Sequence, residues 1–304
     1  MPPSKPYVPR RPSCPTSLPI RGLRYHVHHW GSPEWIGPDT PALVMLHGWM
    51  DVGASFQFVV DAMASQRYVI APDWRGFGHS EAPQADSYWF PDYLGDLDTL
   101  LDQLLPDQAV DLLGHSMGGN VAMLYAGIRP QRIRRLINLE GFGLPASRPT
   151  SAPKHYAAWL DELKAPQELR PYPSLEAVAH RLRKNNPLLR PEFADWLAPH
   201  WARQREDGQW EILGDPAHKR RNPVLYQKDE VLACWAAIAA PVLWVEGDRT
   251  DVAKWWGDRY PRADFESRLQ VVRQLERRVL SPAGHMLHHD QPEALAAHLD
   301  AFLA

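Results

Sequence analysis

The sequence predicts an α/β protein: a mostly parallel sheet flanked by helices, with a helical segment inserted late in the chain. Three observations carry this. Runs such as Ala42 to Leu46, Tyr68 to Ala71, Ala109 to Leu113, Leu136 to Leu139 and Pro241 to Gly247 are short and almost wholly apolar, as strands covered on both faces are. Helix-like stretches separate them, which implies βαβ units. From about residue 144 to 238 the alternation stops, and only helical spacing can be read.

The totals narrow the class. A chain of 304 residues is long enough for one α/β domain with an insertion and a substantial core. The net charge is −3, with acidic and basic residues mixed, so nothing argues for nucleic acid or an anionic membrane as partner. Cys14 and Cys234 are too few for a disulfide framework and suit a reducing compartment. No apolar run approaches the ~20 residues of a membrane helix. Lys5, Arg10 and Arg11 are followed by no signal-peptide core. A cytoplasmic protein is expected.

Taken in order, residues 1–19 hold Pro2, Pro3, Pro6, Pro9, Pro12, Pro15 and Pro19. They read as an extended arm, since proline excludes a helix or a central strand. Leu23 to Trp30 alternates like a strand, with His29 on the face of Tyr25 and Val27, and His26 and His28 on the other. These histidines match no metal-site spacing, and no metal is expected. Helical spacing marks Ala54 to Ala64, Asp92 to Leu105 and Asn120 to Ile128. In the insertion it marks His155 to Lys164, Ser174 to Lys184 and Pro191 to Arg205. Trp159, Trp196, Trp201, Trp210 and Trp235 fall in this region; they either line a cavity or attach the insertion to the sheet. A last strand, Arg278 to Leu280, and a last helix, Glu293 to Leu303, close the chain. The division is an arm (1–19), a core (20–143 and 239–304) and a helical cap (144–238).

The chemistry centres on Gly114-His115-Ser116-Met117-Gly118-Gly119, between a strand and a helix. Small residues two before and two after Ser116 let strand and helix approach around an exposed side chain. The helix start offers N–H groups to a developing oxyanion. Serine is a poor nucleophile at neutral pH and needs a general base. Histidine suits that task, and a carboxylate on its far nitrogen fixes the tautomer. Residues at the carboxyl ends of parallel strands meet at one sheet edge. There stand His47-Gly48-Trp49, Ser116, an acid after the strand ending at Gly247, and His285.

Four segments together, His47-Gly48-Trp49, Asp73-Trp74-Arg75-Gly76-Phe77-Gly78-His79-Ser80, Gly114 to Gly119 and Gly284-His285, make the chain resemble the serine α/β-hydrolases of the esterase-like, lid-bearing branch, over roughly residues 20 to 304. The resemblance implies the α/β-hydrolase fold, Ser116 as nucleophile, His285 as base, and the backbone N–H groups of Trp49 and Met117 as the oxyanion hole. It places the acid in the loop Gly247-Asp248-Arg249-Thr250-Asp251. Threonine stands at the usual Gly-x-x-Asp position, so Asp251 is expected, with Asp248 and Glu140 as rivals. His115 is expected to bond locally, His288 and His289 to be solvated or to cap a helix, and Asp73 and Arg75 to hold their turn. No cofactor is implied. The expected activity is hydrolysis of a small or medium carboxylic ester. A C–C bond hydrolase, lactonase or perhydrolase on the same triad is the alternative. A non-catalytic binding protein on the same scaffold is the rival from another class.

Overall fold

A computed structural model describes residues 5–304. The chain runs β1 (Cys14–Ile20), β2 (Leu23–Trp30), β3 (Leu43–Leu46), α1 (Gln57–Ala62), β4 (Val69–Pro72), α2 (Phe90–Leu104), β5 (Val110–His115), α3 (Met117–Ile128) and β6 (Ile133–Leu139). The insertion follows with α4 (Ala152–Lys164), α5 (Leu175–Asn185), α6 (Pro191–Trp201), β7 (Ala202–Gln204), β8 (Trp210–Ile212) and α7 (Lys228–Ala236). The core resumes with β9 (Val242–Gly247), α8 (Ala253–Trp256), α9 (Arg262–Leu269), β10 (Leu275–Leu280), α10 (Leu287–Asp290) and α11 (Pro292–Leu303).

Eight strands form one sheet in the order β1-β2-β4-β3-β5-β6-β9-β10. Strands β1, β2 and β4 pair antiparallel; every later pairing is parallel. The apolar runs are buried on both faces because side chains alternate along a strand. In β3, Val44 and Leu46 join a cluster with Leu97, Val121 and Phe265, from α2, α3 and α9. Leu43 and Met45 join the opposite cluster with Val59, Leu295 and Leu299, from α1 and α11. The carboxyl ends of β3, β5 and β6 thus open at one edge.

Three sequence expectations need correction. The arm does not stay outside the sheet: Cys14–Ile20 is its edge strand, paired to β2 from Cys14 opposite His29 to Ile20 opposite Leu23. Pro15 and Pro19 are tolerated because an edge strand needs ladder donors on one side only. The helix expected over Pro191 to Arg205 stops at Trp201, two residues after Pro199. The chain then enters the short β7–β8 hairpin, whose three-residue strands are too brief for alternation to register. The last strand begins at Leu275 rather than Arg278. Its burial is that of an exposed edge, hidden at Leu280.

The insertion has an anchored half and a loose half. Val178, Leu182, Phe193 and Leu197 of α5 and α6 bury against Phe58 of the core, with Trp196, Trp201 and Trp210 at the margin. Phe58 and Phe193 stack with centroids 3.8 Å apart. Trp235 enters the main core. By contrast α4 has no buried residue. The arm crosses the anchored half. Tyr7 packs edge-on against Phe58, Phe193 and Trp196, while the backbone N–H groups of Arg10 and Arg11 donate to Asp61 at 2.9 and 2.8 Å.

The return of the chain to the core depends on a close helix–helix approach. A Cβ at Gly127 of α3 would lie 1.9 Å from the carbonyl oxygen of Cys234 on α7. Backbone on backbone cannot yield as a side chain can. Gly127→Ala is expected to lower the unfolding free energy by roughly 1–3 kcal/mol, as overpacking does, in urea denaturation.

Candidate active site

Ser116 sits where β5 ends and α3 begins, with φ +51° and ψ −114°. A non-glycine residue there is strained and persists only where its surroundings force it. The neighbours supply the force. A Cβ at Gly114 would lie 2.2 Å from the carbonyl oxygen of Gly118, and one at Gly118 would lie 2.2 Å from that of Leu46. The glycines are therefore required for α3 to rise directly off β5 and against β3.

The loop after β3 is held against this turn. His47 is fully buried; its Nδ1–H donates to the Gly48 carbonyl at 2.8 Å, and its Nε2 accepts the Trp74 N–H at 2.8 Å. The Trp74 indole donates back to the His47 carbonyl. Burial holds the His47 imidazolium below its ordinary pKa, so the ring is a neutral spacer. At Gly48 a Cβ would stand 3.2 Å from that of Ser116, which brings the Gly48–Trp49 backbone beside the hydroxyl. Met117 opens α3, where the first N–H groups have no partner within the helix.

His285 lies between β10 and α10, and its Nε2 is 2.9 Å from Ser116 Oγ. Its Nδ1 is 2.6 Å from Oε2 of Glu140. The acid on His285 is therefore Glu140, not Asp251. Glu140 follows β6 directly, at φ +57°, and β6 lies next to β5 in the sheet. One strand of separation is within reach of a histidine that already touches Ser116. Asp251 is exposed, and its carboxylate accepts the N–H of Ala253 at the start of α8. Asp248 accepts from the Ser281 hydroxyl and the Ala283 N–H, tying β9 to the β10 loop. Thr250, at the position where the family pattern has Asp, donates its hydroxyl to Glu140 Oε1 at 2.6 Å. The Gly247 N–H donates to the same oxygen at 2.7 Å.

Burial pushes the Glu140 carboxyl well up from its ordinary range, and the Thr250 and Gly247 donors oppose it by favouring the carboxylate. Burial also pushes the His285 imidazolium down. A ring held neutral beside a serine hydroxyl can accept its proton. With Nδ1 donating to Glu140, Nε2 presents its lone pair to Ser116.

Other histidines pack behind His285. His115 donates from Nε2 to the His285 carbonyl at 2.8 Å. His288 and His289 are buried rather than solvated, because the short α10 tucks under the loop before α1. His288 packs on Phe56 and His115, and its Nε2 lies 3.5 Å from Asp51. Asp290 accepts the Gly284 N–H at 2.8 Å and the Asn186 side chain of the insertion at 2.7 Å. Arg75 is bound to Asp96 of α2 through Nε and Nη2 and holds its turn. Trp255, which carries no motif in the sequence, places its ring 4.5 Å from that of His285. Trp255 and Trp49, on the loops that flank His285 and Ser116, are both exposed. Their proximity arises from loop geometry that no spacing encodes.

Residues 41–292 match the family with the alpha/beta hydrolase fold. The chain belongs to that family. A "3-hydroxybutyrate-oligomer hydrolase" of Cupriavidus necator is 31% identical over 240 residues, covering 74% of this chain and 78% of that one. "Epoxide hydrolase 2" of Siraitia grosvenorii is 38% identical over 126 residues, but the match spans 41% of this chain and 37% of the relative. Among solved structures, the "Thioesterase Domain From Curacin Biosynthetic Pathway" superposes with a TM-score of 0.79 at 29% identity, covering 94% of this chain and 98% of that one. In this α/β hydrolase no helix among the described residues is long and apolar enough to cross a membrane.

The Thr250 hydroxyl stabilises the charged form of Glu140. Its removal in Thr250→Val is expected to raise the Glu140 carboxyl pKa by about 1 unit, the equivalent of one hydrogen bond to a charged group. Carbon-13 NMR titration of the carboxyl reads this directly; an unchanged or lowered value contradicts the assignment.

Proposed function

We propose that this α/β hydrolase cleaves a carboxylic ester through an acyl-enzyme on Ser116. The observation that carries the reading is the unbroken contact from Glu140 to His285 to Ser116, at 2.6 and 2.9 Å. Ser116 Oγ adds to the acyl carbon as His285 Nε2 takes its proton. The tetrahedral oxyanion is held by the N–H groups of Trp49 and Met117, the latter at the positive end of α3. His285 then gives the proton to the leaving alcohol oxygen, and the C–O bond breaks. Water adds to the acyl carbon with His285 again as base, and the acid product leaves with Ser116 restored. The Thr250 and Gly247 donors favour the charged form of Glu140, and in that form it stabilises the imidazolium.

The relatives' names are compatible with attack at an acyl carbon: one is a 3-hydroxybutyrate-oligomer hydrolase, and the superposed structure is a thioesterase domain. A groove of about 680 Å³ between α4 and α8, lined by Trp89, His155, Tyr226 and Trp256 among others, supports a small or medium substrate. Trp256 of this groove contacts Trp255, whose ring packs edge-on against that of His285. A soluble cytoplasmic setting belongs to the same proposal.

Turnover of a panel of short p-nitrophenyl esters tests this. Ser116→Ala is expected to reduce activity to background and to lose labelling by a fluorophosphonate probe while keeping its circular dichroism; retained turnover in that variant would refute the nucleophile. A second comparison separates the carboxylates. Glu140→Gln is expected to lower kcat by about 10⁴-fold, as loss of the orienting charge does in such triads, and Asp251→Asn to leave it unchanged. The reverse ranking would return the acid to Asp251.

A further inference from the structure

A second group of side chains lies apart from Ser116, where the sheet edge meets the insertion. We propose that His26, His28 and Asp73 form a binding site for a divalent transition-metal ion of the zinc type. The sequence spacing of the histidines suggests no such site, because the third ligand comes from a different strand.

The topology brings them together. His26 and His28 stand two apart on one face of β2, with rings in edge contact at 4.6 Å. Strand β4 pairs antiparallel with β2 and ends opposite Val27. Asp73 follows it, and its N–H donates to the His26 carbonyl at 2.9 Å. One ligand atom from each of the three lies within 4.8 Å of the other two. His29 takes no part, since its two ring nitrogens face Thr16 and Tyr68 on the other side of the strand.

The carboxylate is oriented before any ion arrives. The Gly53 N–H donates to Oδ1 at 2.7 Å and the His79 N–H to Oδ2 at 2.9 Å. Each oxygen keeps a further lone pair. His28 is buried, and its Nδ1 is 3.1 Å from the Ser13 hydroxyl. When Nδ1–H donates there, the Nε2 lone pair points towards Asp73. An imidazole whose far nitrogen is so held is the arrangement found around bound metals. Nε2 and Oδ1 are 4.0 Å apart, too far for a hydrogen bond. A tetrahedral ion with Zn–N and Zn–O bonds of about 2.0–2.2 Å holds its ligand atoms roughly 3.3–3.5 Å apart, so a small inward rotation of the two side chains would close this gap around it. Two imidazoles and one carboxylate suit zinc and its neighbours rather than calcium or magnesium.

The site can be reached. His26 is partly exposed and His79 exposed, with the His79 ring 5.1 Å from that of His26. His200, in the last turn of α6, lies within electrostatic reach of Asp73, His79 and His26. The next residue, Trp201, places its indole nitrogen 3.5 Å from Ser55 Oγ, on the segment that carries Gly53. An ion here would join two core strands at the foot of the insertion.

The test uses untagged, EDTA-treated full-length protein titrated with zinc chloride by calorimetry, with thermal unfolding and zinc X-ray absorption on the loaded sample. Wild type is expected to take up one equivalent, to unfold at higher temperature when loaded, and to show imidazole nitrogens at about 2.0–2.1 Å. His26→Ala, at a partly exposed position, and the double variant with His28→Gln are each expected to lose affinity by about tenfold or more. The single variant decides the matter if the double does not fold. Absence of saturable uptake by wild type overturns the proposal. So does wild-type affinity in His26→Ala, which would move the ion elsewhere, for example to the buried group of Asp51, His115 and His288.

Discussion

The close approach of β5, α3 and the Leu46 carbonyl around Ser116 is the constraint from which the rest of this edge follows. No side chain larger than hydrogen fits at Gly114 or Gly118, so the backbone turns sharply and Ser116 takes φ +51°. That turn presents the hydroxyl at the sheet edge and aims the first N–H groups of α3 at the same point. The His47–Trp74 lock brings a second backbone segment to it. The strain at one residue is offset by packing spread over three strands.

Around this point the acid has been supplied from a different strand than the sequence pattern suggested. Thr250 shows how. It occupies the place of the usual aspartate and keeps a hydrogen-bonding group there, but turns it on Glu140 instead of on the histidine. The loop after β9 thus changes from providing the charge to holding it. Glu140 has its own unusual backbone angle, as Ser116 does. Two strained residues end adjacent strands, each fixing one partner of His285.

Much of this was legible in the sequence. The buried strands announced themselves as apolar runs, and the glycines around Ser116 and the Gly284-His285 step marked the serine and histidine that meet at the sheet edge, because those features are local. The acid was not local. Asp251, Asp248 and Glu140 all follow strands at the right edge, and choosing among them needs the direction of a loop. The burial of His288 and His289 was hidden for the same reason, since a polar pair near a helix start reads as solvated until the helix is placed. The edge strand at Cys14–Ile20 was masked by its prolines, whose exclusion from central strands does not extend to borders. The pairing of β2 with Asp73 is likewise a property of topology.

The uneven attachment of the insertion has a consequence for how such a protein changes over time. The α5–α6 half shares a dry cluster with Phe58 and lies beneath Tyr7 of the arm, so alteration there weakens the whole domain. Helix α4 contributes no buried residue yet borders the groove lined by Tyr226 and Trp256. Mutations on α4 can therefore accumulate with little thermodynamic penalty while reshaping that groove. Sequence drift at this surface has an open route, and it runs along one helix.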